Sequence, residues 1–240
     1  KCEVKTLFRD KNLGCKYAVS GAIDWFFQNE EMGIIIEDDC LPSQSFFWYC
    51  QELLHKYEFD FRIWCISGNN FQNGILRGNE SYYFSKFNHI WGWASWSNRW
   101  IEYDVEMQNY KEFKNQKLFN DLFETKQQVN YWQKIFNEVI NGKIDTWDYQ
   151  WTYITWVNNG LTILPNNNLI SNIGFGVDAT HTKNKSSKIS KIPIIDLNFP
   201  LKHPRFIFPN KDADNYTIKN LFSKKSIFKI VLYKILKFIK

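Results

Sequence analysis

The sequence predicts an α/β fold built on a mainly parallel sheet flanked by helices. Three observations carry this expectation. Ile34-Ile35-Ile36 reads as a short strand covered on both faces, because β-branched side chains suit a buried pleat. Apolar residues at helical spacing precede that strand, and a serine-started helical pattern follows it. Short apolar runs then recur between longer periodic ones, the alternation expected of strand–helix–strand units.

In chain order, residues 17–29 place Tyr17, Ala18, Ala22, Ile23, Phe26 and Phe27 at helical spacing, which predicts a helix that delivers the chain into the Ile34–Ile36 strand. Ser43 or Ser45 is expected to cap a second helix running to about Tyr57. Arg62–Ser67 reads as a strand ending at Gly68-Asn69-Asn70, Tyr82–Ser85 as another, and Leu161–Pro165 as a third, followed by a turn at Asn166-Asn167-Asn168. Between them, residues 105–141 are polar and carry apolar side chains at helical spacing: Phe113, Leu118, Leu122 and Phe123, then Val129, Trp132, Ile135, Phe136 and Val139. Two amphipathic helices ending near Gly142 are expected. Gly174-Phe175-Gly176 reads as a tight loop, and the Lys/Ser-rich residues 183–191 as a mobile one.

The chain has 240 residues, enough for one large domain or a domain with an appendage. A body over 1–210 and a tail over 211–240 are expected, because the charge is distributed that way. The net charge is +5, yet residues 211–240 hold eight lysines against two aspartates, so the body is near neutral and a nucleic-acid partner is not indicated. In the tail Lys229, Lys234, Lys237 and Lys240 share one arc of a helix, opposite Phe228, Val231, Ile235, Leu236, Phe238 and Ile239. That pattern suits either a helix lying on an anionic membrane surface or a helix docked on the body with solvated lysines. The aromatic content of 18% is high, and most of these rings are expected to fill the core. Five cysteines with no metal-binding spacing read as reduced thiols of a cytoplasmic protein. No apolar run reaches the roughly 18 residues of a spanning helix. The chain opens at Lys1 without a methionine, and a segment with sequence missing upstream is expected.

The chemistry is concentrated where the Ile strand ends. Glu37-Asp38-Asp39 follows it directly, and three acids at a strand's carboxyl edge need a counter-charge if they are to be even partly buried. A hard divalent cation, which prefers oxygen ligands, supplies one; an acidic turn is the plainer alternative. Asp148 lies among aromatics in Asp145-Thr146-Trp147-Asp148-Tyr149-Gln150-Trp151, which suits either a base or a hydrogen-bonded cap. His181, in Asp178-Ala179-Thr180-His181-Thr182, suits a metal ligand or a structural histidine. His89-Ile90-Trp91-Gly92-Trp93-Ala94-Ser95-Trp96 alternates large rings with small residues, as a binding wall or as packing against the sheet. There is no P-loop, Gly-x-Gly-x-x-Gly, Gly-x-Ser-x-Gly or His-Glu-x-x-His, which disfavours Walker-type ATPases, dinucleotide oxidoreductases, α/β-hydrolases and zincins.

Taken in order, Ile34–Pro42, Trp91–Trp96, Trp147–Trp151, Asn172–Gly176 and Ala179–Thr182 resemble bacterial nucleotide-diphospho-sugar glycosyltransferases of the GT-A fold, some of whose relatives carry a hemolysin-like label. The resemblance covers about residues 5–182. It implies a GT-A-like sheet in which Glu37-Asp38-Asp39 stands as the Glu-Asp-Asp form of the Asp-x-Asp motif. Asp39 and His181 would then ligate Mn²⁺ or Mg²⁺, and Glu37 and Asp38 would contact the ribose or a metal-bound water. Arg9 and the Asn12-Leu13-Gly14 turn would line the nucleotide pocket. Asp148 would be the base of an inverting transfer, with Trp91, Trp93 and Trp147 against the acceptor. The first strand and nucleobase-gripping loop of that fold have no counterpart after Lys1. The expected activity is transfer of a sugar from a nucleoside-diphosphate donor to a surface-glycan or glycolipid acceptor of the lipopolysaccharide or capsule kind. The expected location is the inner face of the cytoplasmic membrane, held by the basic tail. A non-catalytic carbohydrate- or membrane-binding module and a nucleotide-sugar hydrolase are the alternatives.

Overall fold

The computed structural model describes residues 2–174 and 192–222. The first helix, α1 (Gly14–Asn29), leads into strand β1 (Met32–Ile36), as the sequence predicts. A short strand β2 (Cys40–Pro42) follows the acids, and helix α2 (Gln44–Tyr57) starts where Ser43 accepts a hydrogen bond from the Phe46 N–H. That bond satisfies a donor left open at the first helical turn. Strands β3 (Ile63–Ser67), β4 (Tyr82–Ser85) and β5 (Gly92–Trp96) come next, then a helical stretch, then β6 (Leu161–Pro165) and β7 (Ile170–Asn172).

The helical stretch holds α3 (Ser97–Trp100), α4 (Tyr110–Asn115), α5 (Phe119–Leu122), α6 (Lys126–Ile140) and α7 (Asp148–Val157). The first of the two helices expected over 105–141 is in fact two short ones. The chain turns at Lys117, whose φ of 61° lies in the left-handed region and cannot continue a helix. Phe119 is thereby driven into the core, where it is fully buried. The second expected helix is α6, fixed at its start by a capping box between Thr125 and Gln128 and followed by Asn141 and Gly142. Helix α7 was not foreseen, because nearly all its residues are buried and no amphipathic period marks it.

The main sheet has the strand order β1-β5-β3-β6-β4. It is mixed and mostly antiparallel, which corrects the expectation of a mainly parallel sheet. β1 and β5, β5 and β3, and β6 and β4 pair antiparallel, and β3 with β6 is the one parallel pair. A parallel pair needs a long crossover, which the helical stretch supplies between β3 and β6; β4 and β6 are separated by the same stretch and pair antiparallel, so a long connection permits a parallel pair without dictating it. An alternation of strands and helices in the sequence does not say which strands become neighbours. A second, two-stranded sheet pairs β2 with β7.

Three layers result. On one face α2 sets Phe46, Tyr49 and Leu53 against Ile63, Ile66, Ala94 and Ile163. On the other, α1, α6 and α7 set Ile23, Phe27, Trp132, Phe136 and Trp151 against Cys65 and Trp93. Trp93 and Ala94 face opposite layers, the two-residue period of a strand buried on both sides. A final helix, α8 (Lys211–Thr217), and a π-helical turn over Ile218–Phe222 lie on the same body. Asp214 accepts from the Ser85 hydroxyl at 2.5 Å, and the Gln72 amide donates to Thr217 at 3.0 Å. The body therefore runs to Phe222, past the expected boundary at 210. The rest of the predicted tail, 223–240, lies outside the described residues, as does the loop over 183–191. Among the described residues no helix is long and apolar enough to cross a membrane. The cysteines are unpaired, and Cys40, Cys50 and Cys65 are buried.

Candidate functional site

Three parts of the chain bring acids to one edge of the sheet. β1 delivers Glu37-Asp38-Asp39 beyond its last residue, Ile36. The pairing of β2 with β7 then folds Asn172 over them, with Cys40 opposite Asn172. Asn172 donates from Nδ2 to Asp39 Oδ1 at 3.1 Å and accepts the Gly174 N–H at 2.8 Å. The Ile173 N–H donates to the Asp39 carbonyl at 2.8 Å. A side chain at Gly174 would overlap the Asp39 carboxylate, so glycine is what allows this loop its close approach.

The start of α7 brings the third part. Asp148 is half-buried at the first turn of that helix and accepts from the Thr146 hydroxyl. Glu37 lies between the other acids. Its carboxyl is pushed up to about 7 by burial first, then by the negative charges of Asp39, Asp148 and Asp38; the Trp147 indole N–H, directed at it, works the other way. Glu37 thus lies within electrostatic reach of both Asp39 and Asp148. Ligand atoms of Glu37, Asp39 and Cys40 lie within 4.8 Å of one another.

The N-terminus of α1 borders the same acids. Asp145 accepts the Cys15 and Lys16 N–H groups at 2.9 and 3.0 Å, capping that helix from a distant part of the chain. Gly14, with φ of +74°, makes the turn into the helix and leaves room for the Asp145 carboxylate. Cys15 sits behind this cap. A helix N-terminus lowers a thiol's pKa when it is open, but here burial and the charges of Asp148, Asp145 and Glu37 raise it to about 11.

The donor set fits a hard divalent cation. Among the described ion pairs none engages Glu37, Asp38 or Asp39, and their oxygens are the ligand type such an ion prefers. Cys40 is not a ligand of that kind. Burial and the Asp39 carboxylate hold its thiol protonated, and it donates to Asp39 Oδ1 at 3.3 Å. Its part is to orient the acid.

The other predicted residues fall as follows. Asp38 is exposed at the rim. Arg9 lies along Gly21, more than a turn from the end of α1 that reaches the acids, and Asn12 accepts the Gly14 N–H at 2.8 Å, a helix-starting role. His181 lies outside the described residues. Trp93 and Trp147 are 0% and 1% exposed and stack on each other at 5.6 Å within a cluster that includes Trp100 and Trp151. They are core side chains, which corrects their expected acceptor role; a central strand covered on both faces leaves Trp93 no open side. Trp91 lines a cavity of about 310 Å³, which it shares with Asp148. Sequence reasoning missed Asn172 as the residue that positions Asp39, although it stands in the Asn172–Gly176 segment. It also missed the capping role of Asp145.

No protein-family model matches the chain, and no curated protein matches it either.

Proposed function

We propose that this chain is a metal-dependent glycosyltransferase that moves a sugar from a nucleoside-diphosphate donor to a hydroxyl of a glycan acceptor. The observation that carries the reading is the convergence on Glu37: one partly buried carboxyl feels Asp39, in the candidate metal cluster, and Asp148, which faces a separate cavity. A cation site on one side and a carboxylate beside an aromatic cavity on the other is the division of labour that such a transfer needs. The ordered sequence resemblance supports the same reading, and with it a GT-A-like arrangement in which β1 ends at the acids.

In this reading Asp39 and Glu37 hold Mn²⁺ or Mg²⁺, with His181 as a further ligand. The ion, when bound, supplies charge neutralisation at a departing diphosphate. Asn172 and Cys40 fix the Asp39 carboxylate by hydrogen bonds, so it needs little reorganisation. Asp148 accepts the proton of the attacking hydroxyl, and the Thr146 hydroxyl orients its carboxylate. Asp38, exposed at the rim of the acids, would meet the ribose or a metal-bound water, with Arg9 and Asn12 near the nucleotide. The basic residues of 223–240 would hold the enzyme on an anionic membrane surface, where lipid-linked acceptors are found.

Asp148→Asn tests the division of roles. Transfer should be lost while donor binding stays within about twofold of wild type; loss of donor affinity would remove Asp148 from the role of base. Product analysis with and without acceptor separates a transferase from a nucleotide-sugar hydrolase. Removing 223–240 should lower partition onto anionic vesicles, and unchanged partition would refute the anchor.

A further inference from the structure

Residues 198–208 form a strap that has no helix or strand of its own. It is anchored on both sides. The Asp196 carboxylate accepts the Ser45 hydroxyl at 2.7 Å, and the Asn210 N–H donates to the Phe84 carbonyl at 2.7 Å. Between these anchors Phe199, Lys202, Arg205 and Phe206 are exposed. The strap is held by Leu201 and Ile207, which pack on the α2 side of the core, by backbone bonds of Lys202 with Ser81, and by the side chain of His203. His203 ends a chain of side-chain hydrogen bonds. Its Nε2 lies 3.1 Å from Glu52 Oε1 on α2, and its Nδ1 lies 2.9 Å from the Tyr82 hydroxyl on β4. The Tyr82 hydroxyl is 2.7 Å from that of Tyr57, and these two residues are 0% and 4% exposed. Among the described residues neither hydroxyl has a further partner.

The chain has a direction. An ionised carboxylate only accepts, so Nε2 carries a hydrogen. In the neutral imidazole Nδ1 then accepts from Tyr82, and Tyr82 accepts from Tyr57. Two hydrogens serve two links, and every group is satisfied. A proton added at Nδ1 brings a third hydrogen to the same two links. One hydroxyl hydrogen is then left without an acceptor at a buried tyrosine pair, which is costly. The imidazole itself is 30% exposed, so a proton reaches it from solvent without prior opening.

We propose that His203 is a pH-sensitive latch: neutral, it fastens the strap to α2 and β4, and protonated, it lets the strap go. The latch goes beyond the glycosyltransferase reading and does not depend on it. The groups that act on the imidazole are Glu52 and Lys56 from α2 and Tyr82 from β4, with Tyr57 behind it. Burial first, and then the Lys56 ammonium, hold its pKa below the ordinary 6.5; the Glu52 carboxylate works the other way without offsetting them. A histidine whose folded pKa is lowered binds its proton more readily once released. The strap is therefore held fully above pH 6.5, and its hold weakens as pH falls from there through the folded value. This slope is opposite in sign to that of Glu37, whose contribution is lost as pH rises.

The test combines nitrogen NMR of isotope-labelled histidine in the full chain with hydrogen exchange read by mass spectrometry. The His203→Gln variant identifies the His203 signals. At pH 8 the ring should be the Nε2–H tautomer, and its titration midpoint should lie below pH 6.5. Exchange within 198–206, corrected for the intrinsic effect of pH, should speed up about threefold or more between pH 7.5 and 5. Peptides of α6, on the other face of the sheet, should change by less than about 1.5-fold. His203→Gln cannot titrate there, so its strap should exchange alike at both pH values. If that variant fails to fold, wild type decides alone, because the midpoint of strap exchange must coincide with the imidazole titration. An Nδ1–H tautomer at pH 8, a midpoint at or above 6.5, or no faster strap exchange in acid would overturn the proposal. So would an equal acid response in His203→Gln, or an exchange midpoint that departs from that of the imidazole.

Discussion

Replacing Glu37 by glutamine removes one negative charge from the acid cluster while keeping the size and an acceptor oxygen for the Trp147 indole. The carboxyl stands at about 7 in the folded protein against an ordinary value of 4.5, raised by burial and by Asp39, Asp148 and Asp38. An acid whose folded pKa is raised contributes stability that is fully present below its unfolded value. That contribution is lost as pH rises through the folded value. In metal-free protein the loss therefore falls between pH 4.5 and about 7. Its ceiling is about 3 kcal/mol, and water reaching the partly open side chain brings it to about 2 kcal/mol. Glu37→Gln cannot ionise, so in EDTA at pH 8 it should be more stable than wild type by about that amount, roughly 4–8 °C in melting temperature. Near pH 4 the two should melt together. Adding Mn²⁺ at pH 8 should reverse the order, because saturating an ion site stabilises the folded state by about 2.7 kcal/mol at a hundredfold excess over Kd, and the variant has lost a ligand. Thermal melts from pH 4 to 8, with EDTA and with Mn²⁺, give all of these values. A variant less stable than wild type at pH 8 in EDTA, or a difference that does not change with pH, would refute the argument.

Two further substitutions separate the site from the fold that supports it. Gly174→Ala should displace the Asp39 carboxylate and weaken Mn²⁺ binding tenfold or more by calorimetry, with little change in the metal-free melting temperature; unchanged affinity would mean the 172–174 loop does not fix Asp39. Asp145→Ala removes the acceptor of two N–H groups at the start of α1 and should cost about 1 kcal/mol in urea unfolding while leaving metal affinity within about twofold. A drop in metal affinity equal to that of Gly174→Ala would place Asp145 among the ligands instead.

The limits of sequence reasoning in this chain are physical. Periodicity placed α1, α2, α6 and the strands β1, β3, β4 and β6, because each has one face or both faces covered by apolar side chains. It missed α7, where both faces are buried, and it missed β2 and β7, which are too short to show a period. It misjudged the sheet's direction because strand pairing depends on connections that only the folded chain reveals. In the site, Glu37 and Asp39 were legible because three acids after an apolar strand are costly without a partner. Trp93 and Trp147 were misplaced because a ring that fills a core and a ring that holds a sugar look alike in sequence. The capping role of Asp145 depends on a contact spanning more than half the chain, for which no local signal exists.

The central claim is that Asp39 and Glu37 hold a cation that makes this chain a sugar-nucleotide enzyme. The most direct measurement is turnover of a panel of nucleoside-diphosphate sugars by wild type and Asp39→Ala, each with Mn²⁺ and with EDTA. The account predicts that wild type releases nucleoside diphosphate from at least one donor only when Mn²⁺ is present, and that Asp39→Ala falls at least a hundredfold while keeping its fold. Turnover that persists in EDTA, wild-type activity in Asp39→Ala, or no donor turned over with Mn²⁺ would contradict it.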